Sequence, residues 1–78
     1  MNKENDDLSK YDKFEKIITL NSYTHVEIRN NILRLLYFME DHNEKYNVTT
    51  QYLRIKLTDS EKNPFAKDLI LEWATYEN

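Results

Sequence analysis

The chain has 78 residues, a net charge of −3 from 14 acidic and 11 basic side chains, and neither cysteine nor glycine. Such a length fits one small domain burying roughly 60% of the surface its unfolded chain exposes, while the missing cysteines exclude disulfides and thiolate metal sites. Without glycine there is no phosphate-cradling loop or nucleophile elbow, and the acidic balance argues against a general nucleic-acid binder, whose affinity rests on neutralising phosphates.

The opening "MNKENDDLSK" lacks the apolar segment of a secretory signal. Nowhere does an apolar run approach the ~20 residues that span a bilayer, so a cytoplasmic protein is expected. Residues 1–8 read as a disordered acidic tail, and 9–78 as a single helical domain.

Ser9 is a possible N-cap. Tyr11, Phe14, Ile17 and Ile18 then recur with the spacing of one helical face. The β-branched run in "KIITL" offers a strand as the competing reading; a short helix is preferred.

The next segment has the clearest local signal. Thr24 and Glu27 form a capping box, and Tyr23 with Ile28 stand at the positions of a hydrophobic staple. A helix from about 25 to 42 follows. Val26, Leu33, Leu36 and Tyr37 make one stripe; Ile28, Ile32, Leu35 and Met39 make a second beside it. Two stripes imply partners on two sides, as for the central helix of a bundle.

In "NVTTQYLRIKLTDS", Leu53, Ile55 and Leu57 alternate with Arg54 and Lys56 as in a half-buried strand. Thr49 could instead cap a helix whose face carries Leu53 and Leu57. A strand needs a partner and "KIITL" is the one in view, so a helix over about 49–57 is expected. Asn63 and Pro64 then look like N-cap and first helical residue. Phe65, Leu69, Trp73 and Tyr76 repeat at helical spacing to about residue 76. The expected fold is therefore all-α: three to four short helices packed around the second.

Catalytic groups do not converge in this pattern. His25 and His42 lie 17 positions apart, and "EDHNE" around His42 matches no metal-ligand spacing. No enzyme, cofactor or metal is expected. The first functional reading is a protein-binding regulator or inhibitor that uses Tyr37, Phe38, Met39, Trp73 and Tyr76 against another protein or a second copy of itself. The Lys/Asn/Ile-rich composition resembles that of small accessory proteins from bacteria with AT-rich genomes, or from their phages. The second reading is a helix-turn-helix DNA-binding regulator formed by the helices at about 49–57 and 64–76, with Arg54, Lys56, Lys62 and Lys67 on phosphates.

Overall fold

A computed structural model describes residues 12–78. The proposed cap Ser9, the face residue Tyr11 and the acidic tail lie outside them. The elements run β1 (Asp12–Leu20), α1 (His25–Tyr46), β2 (Val48–Asp59) and β3 (Lys67–Glu77). The three strands form one antiparallel sheet in the order β1-β3-β2, with α1 on one of its faces.

This overturns the all-α bundle. The central helix exists and extends four residues further than expected, but the three flanking helices are strands. The reason lies in β3. Leu69, Ile70 and Leu71 are all buried, as are Trp73, Ala74 and Thr75. In a central strand flanked by neighbours on both edges, residues on the open face are buried by adjoining side chains as well, so it reads as a continuous apolar run without clean alternation. Leu69 and Trp73 are four apart, an even spacing that shares a face in a strand as well as in a helix, so the pair cannot discriminate. "KIITL" and "YLRIKL" do not pair with each other. Each pairs with β3, the segment taken for the last helix.

Register assigns the faces. Phe14, Trp73 and Leu53 lie abreast, as do Ile18, Leu69 and Leu57; all point toward α1. The opposite, open face carries Glu15, Glu72 and Arg54 abreast, with Ile17, Ile70 and Lys56 beside them. A bulge between Thr50 and Tyr52 leaves Gln51 unpaired. That extra residue switches the alternation, so that Thr50 faces α1 on one side of it and Leu53 faces α1 on the other. The side chain of Asn43 donates to Thr50 Oγ1 at 2.6 Å, tying the end of α1 to this face.

The core is Leu20, Leu35, Met39, Leu69, Leu71 and Trp73. Both ends of α1 are fixed locally. Glu27 N–H donates to Thr24 Oγ1 at 3.2 Å. At the other end Asn47 is left-handed, with φ 54°, and its N–H donates to the carbonyls of Asn43 and Glu44. Asparagine supplies here the positive φ that glycine usually provides. Asn63 and Pro64 open a turn between β2 and β3 instead of a helix. The Asn63 side chain accepts from Phe65 N–H at 3.0 Å, and its carbonyl accepts from Ala66 N–H at 3.0 Å.

Candidate protein-binding interface

The helix packs with Asn31, Leu35 and Met39 against the sheet. Its two flanks differ in chemistry. On the β1 side, Phe38 meets Trp73 edge-to-face at 6.1 Å, and Lys16 reaches from β1 to within 4.6 Å of the Phe38 centroid. The buried Asn31 side chain donates to the Glu27 carbonyl and carboxylate and accepts from Arg34 at 3.0 Å. This flank is closed by polar groups that satisfy one another.

On the β2 side the helix presents Ile32 and Leu36, half-buried against the core. Leu33 (44% exposed) stands next to them toward solvent, and Tyr37 (62%) points outward from the helix. The helix-facing residues of β2 are apolar as well: Ile55 is half-buried, while Leu53 and Leu57 are 44% and 40% exposed. A shallow hollow of about 320 Å³ runs along this flank, lined by His25, Ile28, Arg29, Ile32 and Leu33. Among the described residues β2 pairs on one side only, so one row of its backbone N–H and C=O groups carries no strand partner there. An edge of twelve residues next to exposed leucines is a template for another strand.

The residues singled out from the sequence are scattered by this fold. Met39 and Trp73 belong to the core. Phe38 lies on the β1 flank and Tyr37 on the outer face of the helix, away from the sheet, while Tyr76 is on the open sheet face opposite Thr49. Leu33, Leu53 and Leu57 were not singled out as partner-binding. Their signal was the alternation of β2, whose apolar side the structure leaves under-covered.

The helix-turn-helix reading fails because both of its helices are strands, and they form a hairpin with each other. Its basic residues are mostly engaged. Arg54 and Lys56 approach the Glu72 carboxylate at 2.7 and 3.4 Å, and Lys67 approaches Asp59 at 2.7 Å. Hydrogen bonding from Arg54, partly opposed by burial, holds the Glu72 carboxyl below its ordinary range. Lys67 does the same to Asp59, and its own ammonium is raised in return. Lys62 sits in the β2–β3 turn.

Among the described residues no group of three or more His, Asp or Glu side chains is placed to hold a metal ion, and no helix is long and apolar enough to cross a membrane. The chain matches no family model, and neither the curated proteins nor the solved structures contain a match to it.

Proposed function

We propose that this chain is a protein-binding module, a small regulator or inhibitor, whose working surface is the β2 flank of α1 together with the free edge of β2. One observation carries the reading: Leu33, Leu53 and Leu57 are all at least 40% exposed on the flank that borders that edge. Apolar area grouped this way marks contact surfaces more often than solvent faces. The edge supplies backbone hydrogen bonds and the leucines supply burial, the combination used in strand addition.

Charge favours a different protein over a second copy. If β2 paired antiparallel with its own copy about Arg54, Ile55 or Lys56, it would set Arg54 or Lys56 directly opposite a like charge. Like charges directly opposite are destabilising. A partner strand that is apolar on one face and acidic on the other meets both sides of β2 at once.

The test is affinity capture from the native host with three forms of the chain. Wild type and Ile17→Asp, which alters the open face, should retain the same protein; Leu33→Asp/Leu57→Asp should lose it while keeping a native circular dichroism spectrum. Equal retention by all three forms excludes this surface. A wild-type dimer by light scattering that Leu57→Asp dissolves would assign the surface to self-association instead.

A further inference from the structure

We infer that the chain carries a second site, independent of the β2 flank, that binds the head of an organic cation: an alkylammonium or guanidinium group. The site is a concavity of about 480 Å³ at the C-terminal end of α1, where β1 and β2 begin and β3 ends. Its size falls within the range of about 300–1,000 Å³ common to ligand clefts.

Three features converge there. The first is a set of aromatic walls: Phe14, His42 and Tyr46 line the concavity. Their rings form a continuous run, with Phe14 and His42 4.3 Å apart and His42 and Tyr46 4.8 Å apart between centroids. Trp73 backs the run, stacked on Phe14 at 5.4 Å. Aromatic faces attract cations through the ring quadrupole. The fold already uses that attraction next door, where the Lys45 ammonium sits 5.4 Å from the Tyr46 centroid. His42 and Tyr46 line both that neighbouring hollow and this one.

The second feature is negative charge. The acidic residues Asp12 and Glu77 line the same concavity. Each engages in no ion pair among the described residues, unlike Glu72 on the open face and Asp59 at the far end of β2. The third is the helix itself, whose C-terminal end carries partial negative charge and favours cations. Aromatic faces alone would suit any flat apolar group, and carboxylates alone would suit a hydrated metal ion. Together they select a cation with an apolar or planar surface.

Such a head comes either from a free small molecule or from an arginine or lysine side chain of a protein, and the experiment separates the two. The full chain is titrated with arginine amide, with choline and with a short arginine-containing peptide, at constant ionic strength and about pH 8, above the ordinary histidine range. NMR is the readout. Saturable shifts are expected at Phe14, His42, Tyr46 and Val48, weakened about tenfold in Asp12→Asn/Glu77→Gln as two charge-assisted contacts are lost. Tighter binding of the peptide assigns the site to a protein side chain; tighter binding of choline or arginine amide assigns it to a small molecule.

The proposal is overturned if none of the three probes saturates, if sodium chloride reproduces the shifts, or if the carboxamide variant binds as the wild type does. Should that variant lose the native spectrum, Tyr46→Leu removes one wall at an exposed position, and unchanged binding there overturns the site equally.

Discussion

The Lys16 ammonium lies 4.6 Å from the centroid of Phe38, so the β1 edge is spanned by a charged side chain that points toward the helix. Inward-pointing charge is one of the devices that keeps an edge strand from pairing with other chains. On the helix-facing side of β2, Leu53, Ile55 and Leu57 stand where such a charge would have to be. Replacing the charge, as in Lys16→Val, should leave the fold intact at a cost of about 1 kcal/mol or less, the value of an exposed cation–π contact. It should also make the protein associate as its concentration rises. Light scattering across a concentration series checks this; a variant that stays monomeric at every concentration would mean that Lys16 does not guard the edge.

Leu35 is fully buried between α1 and the sheet. Leu35→Ala should cost about 2–5 kcal/mol, the range for removing a core leucine. For a domain of this size that is much of its total stability. Tyr37→Ser, two positions away but 62% exposed, should change stability by about 0.5 kcal/mol or less. Urea denaturation of the two variants side by side gives the comparison, and similar losses would contradict the placement of α1.

The helix ends are separately testable. Thr24→Ala removes the acceptor for Glu27 N–H and should cost about 1 kcal/mol. Asn47→Ala places a β-carbon in a left-handed conformation without the polar side chain that tolerates it, and should cost about as much. Asn47→Gly should be milder, because glycine adopts positive φ freely. If glycine proves worse than alanine, the contacts of Asn47 with Asn78 matter more than its backbone.

Stability should fall at both extremes of pH, through different groups. The folded state holds the Glu72 and Asp59 carboxyls below their ordinary values, chiefly through hydrogen bonds from Arg54 and Lys67. Their contribution is therefore complete above the unfolded carboxylate range, about 4, and is lost as pH falls through the lower folded values. Lys67 is raised, so its contribution is complete below about 10.4 and disappears as pH climbs past its folded value. Asp59 is exposed and Glu72 and Lys67 remain partly open to solvent, so the effects are small and weaken with salt. The stability difference between wild type and Glu72→Gln should be largest at neutral pH and vanish in acid. A difference that persists in acid would show that the pair with Arg54 is not its source.

The sequence by itself determined the helix and where it starts, though not where it ends. Thr24, Glu27 and the apolar residues of α1 act within a few positions of one another, so their preference does not depend on the rest of the chain. The exposed residues of the candidate interface were partly legible too, since Leu53, Ile55 and Leu57 alternate with Arg54 and Lys56. What the tertiary structure decided was the identity of the other three segments. "KIITL" and "YLRIKL" are strands because β3 lies between them and supplies hydrogen bonds to both. β3 concealed its own nature, since burial on two faces removes the alternation by which a strand is recognised. A strand becomes favourable only when its partners are in place across dozens of residues, and no local window contains that information.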